Sequence, residues 1–258
     1  MLSSLTNLFG INPRKMVNTF RGMPFYTRDY LTIMSQRNRS QESFALGKPY
    51  PALHDRFEDG GTAKGHYFHQ DLYVAQRIFK NKPELHTDLG SRIDGFVAHV
   101  ASFRSIRVLD IREIPSFSSN VKFVQCDIMA PLASSLVESC DSISCLHALE
   151  HFGLGRYGES LNYDGHIMGF GNISQILQSG GKFYFSTPIG RQRIEFNSHR
   201  VFSIDYLLKM FESDFTVDSF SYVDDNGDLH KEIELSSAQI RSNLGCTFGC
   251  GIFELTKN

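Results

Sequence analysis

The sequence has no tryptophan and no run approaching the ~20 apolar residues that a membrane-spanning helix requires, so nothing in it reads as a transmembrane segment. A surplus of charge is missing too. Its 26 Lys and Arg stand against 28 Asp and Glu, a formal charge of −2, which removes any global pull toward nucleic acid or an anionic membrane. Cysteine is sparse: five residues, an odd number, none in a Cys-x-x-Cys pair. That excludes a secreted disulfide framework and fits a reduced, cytoplasmic setting. Cys246 and Cys250 lie four apart in a glycine-rich stretch, but no partner with zinc spacing accompanies them, so no metal site is expected. There is no internal repeat, no low-complexity tract, and no apolar stretch of signal-peptide length before Arg14-Lys15. What is plentiful is phenylalanine, 22 of 258 residues. At 41% hydrophobic the chain can build one α/β domain with a sizeable core and a short extension.

Residues 1–65 read as a helical and irregular N-terminal extension. Leu2–Phe9 is mildly apolar and is followed by Arg14, Lys15 and Arg21, which suits docking helices or a weak membrane-surface contact. Pro13, Pro24, Pro49 and Pro51 interrupt the pattern, so short helices are expected around Arg14–Phe20 and Thr27–Gln36, then an irregular stretch through Gly60-Gly61. Residues 66–80 carry Leu72, Val74, Ala75, Ile78 and Phe79 at helical spacing. From residue 84, short apolar runs alternate with helical ones. Strands are expected at Leu85–Leu89, Ser105–Asp110, Val121–Asp127, Asp141–His147 and Gly181–Thr187, the last stopped by Pro188. Helices are expected at Gly95–Phe103, poorly near Pro131–Glu138, and at Asn172–Gln178. The alternation implies βαβ units and a parallel sheet. At the end, Ser203 caps a helix over Ile204–Glu212, Phe215–Val223 and Gly251–Leu255 read as strands, and an antiparallel edge follows if these two pair. The expectation is a doubly wound, Rossmann-like α/β sheet over residues 66–258.

In such sheets ligands bind beyond the carboxyl ends of the strands. Asp88-Leu89-Gly90-Ser91 follows the first strand, and Gly90 permits a tight turn close to a ligand. The second strand ends in Asp110, about 20 residues on, placed to accept both hydroxyls of a ribose. The third ends in Asp127, in reach of an adenine amino group, and the fourth runs into His147-Ala148-Leu149-Glu150-His151.

The succession HTDLGSRIDGF, VLDIRE, FVQCDIM, DSISCLHALEH and ILQSGGKFYFSTP resembles the class I methyltransferases that use S-adenosyl-L-methionine (SAM). YPALHDRFEDGG, HYFHQDLYVAQRIF, EHFGLGRYGESLNYDG, FNSHRVFS and GCGIFELTK are similar to the bacterial methyltransferase-like family catalogued as domain of unknown function 268, often associated with surface-polysaccharide synthesis. The resemblance implies SAM as cofactor. Asp88, Gly90 and Ser91 would lie around its methionine part, Asp110 and Ile111 at the ribose, Asp127 and Ile128 at adenine, and His147 beneath the methyl donor. Where methyltransferases usually repeat glycine, this chain has Arg92 and Asp94. Arg92 then either ion-pairs with the SAM carboxylate or fills the pocket.

Transfer to oxygen needs a base. His151 is the candidate base or substrate ligand, with Asp164 and His199 beside it; a backbone-bonded loop histidine is the plainer reading of His151. The long loop Gly153–Gly165 offers Arg156, Tyr157 and Glu159, and the segment before Ile204 offers Arg200, for a sugar or phosphorylated acceptor. His66, His69, Tyr67, Gln70 and Asp71 suit a lid helix, while Arg191 and Arg193 are solvated or touch a phosphate. The sequence therefore reads as a SAM-dependent O-methyltransferase of a sugar or surface-glycan intermediate, with no nucleic-acid partner and no metal. The rival reading is a non-catalytic scaffold in polysaccharide synthesis.

Overall fold

The structure is a computed structural model that describes residues 10, 12–42, 44–114 and 118–258. They fall into two compact units that divide between Thr62 and Ala63. The apolar segment Leu2–Phe9 lies outside the described residues.

In the first unit, α1 (Pro13–Arg37) is one helix where two were expected. Asn12 caps it, accepting the Lys15 amide at 3.0 Å, and Pro13 occupies the first turn, where its missing N–H is no loss. Pro24 sits inside the helix. A proline there removes one backbone hydrogen bond and kinks the helix, but the bonds on either side persist, so it does not divide the element. Gly22 is buried because a Cβ would collide with the Leu53 carbonyl; only a glycine lets that later segment lie on the helix.

The second unit begins with α2 (His66–Asn81), which turns Val74, Ala75 and Ile78 inward, as their spacing requires, together with Tyr73, while Leu72 and Phe79 of the expected apolar set stay exposed. Then come β1 (His86–Leu89), a wide turn over Ile93–Val97, α3 (Ala98–Ala101), β2 (Ile106–Asp110), β3 (Val121–Gln125) and β4 (Cys140–Leu146). They are followed by α4 (Gly165–Ile176), β5 (Leu177–Ile189), the hairpin of β6 (Arg193–Glu195) and β7 (His199–Val201), and α5 (Ile204–Phe211). The chain continues through β8 (Phe215–Val223), β9 (Leu229–His230), α6 (Ser237–Ser242) and β10 (Gly249–Lys257). The main sheet has the order β3-β2-β1-β4-β5-β10-β8-β9. Strands β1 to β5 are parallel, whereas β10 runs antiparallel to both β5 and β8. The order reverses between β1 and β4, which sets a crevice above their carboxyl ends. Among the described residues no helix is long and apolar enough to cross a membrane.

Several boundaries move. α4 starts at Gly165, not at Asn172. Gly165, Gly169 and Gly171 disguise it as a loop, yet two of them are small for packing: a Cβ on Gly165 would press on Met129 Sδ and Gly153, and one on Gly169 would strike the Phe152 ring. β5 runs through Pro188 to Ile189. The helix expected at Gly95–Phe103 begins instead as the wide turn, because Gly95 adopts non-helical φ −119° and ψ −112°. The Pro131–Glu138 stretch holds a single 3-10 turn, Ser134–Leu136.

Two buried histidines and one carboxylate make stability depend on pH. His86 bridges Ser142 and Ser144 of β4 at 2.8 and 3.1 Å, and burial pushes it down to about 3. His166 meets the Tyr206 hydroxyl at 2.7 Å and is pushed by burial to about 4. Burial raises Asp88 to about 6. Below pH 6.5 the unfolded chain takes up protons at both histidines while the folded chain does not, so stability present above 6.5 is lost as the pH falls toward 4. Asp88 has the opposite sign, since the folded form binds its proton better between about 4 and 6. His66, pushed by burial down to about 4, adds to the histidine side and His147, which is raised, adds to the side of Asp88, and the lowered histidines prevail. The unfolding free energy in urea should therefore drop by about 2–3 kcal/mol from pH 7 to pH 5, and His166→Gln should recover about 1–2 kcal/mol of that loss. A flat profile over this range would contradict the assignment.

Candidate functional site

A cleft opens at the carboxyl ends of β1, β2, β3 and β4. Gly90, Asp110, Ile111, Asp127, Ile128, His147, His151, Tyr157 and Glu159 line it, all singled out by the sequence, together with Leu89, Leu109, Arg112, Cys126, Met129, Ala148 and Phe152. The lining is therefore mixed, with apolar side chains beside carboxylates and imidazoles.

The β1 turn is built by its own side chains. Asp88 is fully buried; it accepts Ser91 Oγ at 2.8 Å, Ser144 Oγ at 2.6 Å and the Ser91 amide at 3.1 Å. Asp88 and Ser91 thus hold the turn from below and do not line the cleft. Gly90 has φ +70°, and a Cβ there would stand 3.1 Å from that of Ala148, so glycine keeps the floor open. Arg92 does not fill the cleft. It is exposed and pairs with Asp94 at 2.8 Å and 3.0 Å.

The ribose candidate, Asp110, is engaged. Its carboxylate takes a two-pronged hydrogen bond from the Arg112 guanidinium, at 2.6 and 2.9 Å, and a third bond from the Arg112 amide at 2.8 Å. Arg112 in turn lies 4.4 Å above the Tyr157 ring, with Arg156 5.3 Å from the same ring. Nothing in the apolar pattern marked Arg112; its position two residues after a strand-end acid is the one signal, because that spacing allows the side chain to fold back. Asp127 caps its own turn through the Met129 amide at 2.9 Å.

After β4 the backbone of His147 is left-handed, φ +50°, an uncommon state for a non-glycine residue. Its Nδ1 meets Glu150 at 2.8 Å, and the pair is almost fully buried. Burial alone would lower His147, but the Cys250 and Glu150 charges outweigh it and raise it well above its usual value. Glu150 would be raised by burial, yet the facing imidazole holds it below the ordinary carboxylate range. His151 places Nδ1 2.6 Å from the Ser198 carbonyl. Nδ1 therefore carries the proton and Nε2 keeps its lone pair, and burial pushes the ring below its usual value.

The remaining candidates divide. Glu159 accepts the amides of Gly155 at 2.7 Å and Tyr157 at 2.8 Å, shaping the loop from within. Arg156 reaches the Ser198 carbonyl at 3.2 Å. His199 stands 6.4 Å from His151, ring to ring; Ser198 Oγ meets its Nδ1 at 2.8 Å, while its Nε2 lies 3.2 Å from Glu195 without a hydrogen bond, outside the cleft lining. Asp164 is exposed just ahead of α4 and faces a separate depression with His166 and Tyr206. The expected trio His151, Asp164 and His199 is therefore not gathered round one point: His151 faces the cleft and the other two do not. Arg200 is buried and spends its guanidinium on three backbone carbonyls, those of Phe152 at 2.7 Å, Tyr163 at 2.8 Å and Glu150 at 3.3 Å. It pins the loop, and its donors are committed to backbone, not offered to a substrate.

The model of a family described as "Caenorhabditis protein of unknown function, DUF268" matches residues 104–248, more than half of the chain. Its description names Caenorhabditis, so a bacterial association rests on the sequence resemblance alone. No curated protein matches the chain in sequence. Among solved structures, the chain is similar to a Burkholderia thailandensis 1,6-didemethyltoxoflavin-N1-methyltransferase with bound 1,6-didemethyltoxoflavin and S-adenosylhomocysteine. Identity there is 14%, the TM-score is 0.51, and the match covers 73% of this chain and 78% of that one. It is also similar to the [4+2]-cyclase SpnF, at 12% identity and TM-score 0.52, over 73% and 80% of the two chains. At such identities the likeness establishes the Rossmann-like methyltransferase fold.

Proposed function

The chain belongs to the DUF268 family, and from that premise we propose that it is a SAM-dependent methyltransferase acting on a hydroxyl of a sugar or surface-glycan intermediate. The observation that carries this reading is the cleft itself: a glycine turn, a strand-end carboxylate, apolar side chains and a neutral imidazole converge at the point where strand order reverses. The cofactor fits what is present. Gly90 keeps side chains off the floor, Ile111 and Ile128 offer apolar faces to a base, Asp127 offers an acceptor, and Asp110 would offer a second once a ligand displaces Arg112. Arg92 leaves the space clear and is exposed, paired with Asp94, whose place a cofactor carboxylate could take.

When bound, SAM supplies an electrophilic methyl group on a sulfonium. The chain does the rest. His151, fixed by the Ser198 carbonyl, holds an Nε2 lone pair for the acceptor proton, and its lowered affinity for protons keeps it neutral at pH 7. Arg156 and Tyr157 border the acceptor side. Asp164, His199 and Arg200 would act on the acceptor only after a rearrangement of the 153–165 loop. The five cysteines are free thiols, which suits a reduced, cytoplasmic setting.

Calorimetry with SAM and S-adenosylhomocysteine tests the reading. Both should bind, and Asp110→Ala should weaken each by about 1–3 kcal/mol, roughly 5- to 150-fold. Absence of heat with either ligand in folded protein would overturn it. One observation favours a second reading, a non-catalytic scaffold: Arg112 already satisfies Asp110. Thermal shifts separate the two, since a binder's midpoint climbs with SAM concentration and a scaffold's does not. The likeness to a [4+2]-cyclase adds that this fold carries other chemistry, so ligand binding is to be established before activity.

A further inference from the structure

We propose that His66, His147 and Cys250 form a transition-metal site, best suited to zinc(II), beside the cleft. His66 is the first residue of α2, His147 follows β4, and Cys250 is the second residue of β10. One ligand atom from each lies within 4.8 Å of the other two.

Three further features point to a ligand. His147 Nε2 is buried and makes no hydrogen bond, in a side chain only 5% exposed. Its Nδ1 is held at 2.8 Å by Glu150, the carboxylate–histidine arrangement that orients a metal-binding ring and frees the other nitrogen as the donor. His147 is also kept in its left-handed backbone state, with its ring stacked on His66 at 5.2 Å and tilted against Tyr67 at 5.3 Å, so local geometry is given up to point this ring inward.

The donor set selects the ion. Two imidazoles and a thiolate suit zinc and reject calcium or magnesium, which take oxygen ligands. Three protein ligands leave a fourth tetrahedral position for water or an acceptor group. Bonds of about 2.0–2.3 Å place ligand atoms roughly 3.3–3.7 Å apart, so spacings of up to 4.8 Å must tighten by up to about 1.5 Å. Cys250 Sγ has weak alternatives, the Gln70 Oε1 at 3.6 Å and the Gly251 carbonyl at 3.8 Å, and Gln70 Oε1 is already taken by Ser186 Oγ at 2.6 Å. Because His147 also lines the cleft, an ion here would stand next to any acceptor bound there. The site itself does not depend on methyl transfer.

The test is titration of the chelator-stripped full chain with cobalt(II), then zinc(II). The expected result is one cobalt per chain, with a thiolate-to-cobalt charge-transfer absorption and tetrahedral visible bands, both erased by one equivalent of zinc. Cys250→Ser should lose the charge-transfer band, and Glu150→Gln should weaken zinc binding about 10- to 100-fold, with circular dichroism confirming that both variants fold. No spectral change, a band that survives Cys250→Ser, or a Cys250 that iodoacetamide alkylates while no metal is taken up would each overturn the proposal. Cobalt uptake without any SAM heat would defeat the methyltransferase reading and leave the metal site standing; SAM heat without cobalt uptake would do the reverse.

Discussion

Arg200→Ala is expected to lower the unfolding free energy by about 3–5 kcal/mol, seen as a fall of roughly 6–20 °C in the thermal midpoint. Arg200 is 4% exposed and, among the described residues, ion-pairs directly with no carboxylate; its hydrogen bonds go to the Glu150, Phe152 and Tyr163 carbonyls, with the Asp164 charge in the vicinity. Those carbonyls belong to two ends of the 150–163 segment, and Arg200 sits on β7, so one guanidinium closes the loop against the hairpin. Alanine would strand the buried Glu150 carbonyl, loosen the part-buried bonds to the Phe152 and Tyr163 carbonyls, and leave a void the size of the side chain. Lysine should recover less than half, because a single ammonium cannot span the fork geometry of a guanidinium. Urea unfolding of the three proteins decides it, and a loss below 1 kcal/mol for alanine would refute the role.

Glu150→Ala should cost a similar amount, about 3–5 kcal/mol, because removing one member of a buried pair leaves the other uncompensated. Glu150 is 1% exposed, bonds His147 Nδ1 and lies 3.4 Å from Thr187 Oγ1. Glutamine keeps the shape and an acceptor and should cost about 1–2 kcal/mol. The contrast between alanine and glutamine, read in metal-free buffer, separates loss of the pair from loss of volume. Equal destabilisation by both would mean that packing, not the ion pair, is what Glu150 supplies.

The strand tips were legible because each buried strand is a short apolar run closed by an acid or a small residue. Gly90, Asp110, Asp127 and His147 could be placed at one crevice before any coordinates. What escaped was whatever depends on side-chain direction or on distant pieces of chain. Asp110 was placed correctly, but no pattern tells that Arg112 folds back onto it. Asp164 and His199 are near His151 in sequence or in space, yet their side chains turn to other partners. Spacing rules examine neighbours, so they set Cys246 beside Cys250 and read His66 with His69 as parts of one lid helix. The cluster instead draws one residue from each of three elements far apart in the chain. Pro24 and the glycines of α4 misled for a common reason: both were read as local breakers, whereas the helices that contain them are kept by tertiary packing and flanking bonds.

The position of β10 has a consequence for how the protein is made. Residues 249–257 sit between β5 and β8, so the two outer strands have no seat until the last part of this sequence has left the ribosome. At 5–20 residues per second, β5 waits several seconds with an unpaired flank. During that interval the nascent chain offers an open ladder to other chains, and a holdase that shields β5 should raise the yield more than one that acts after release.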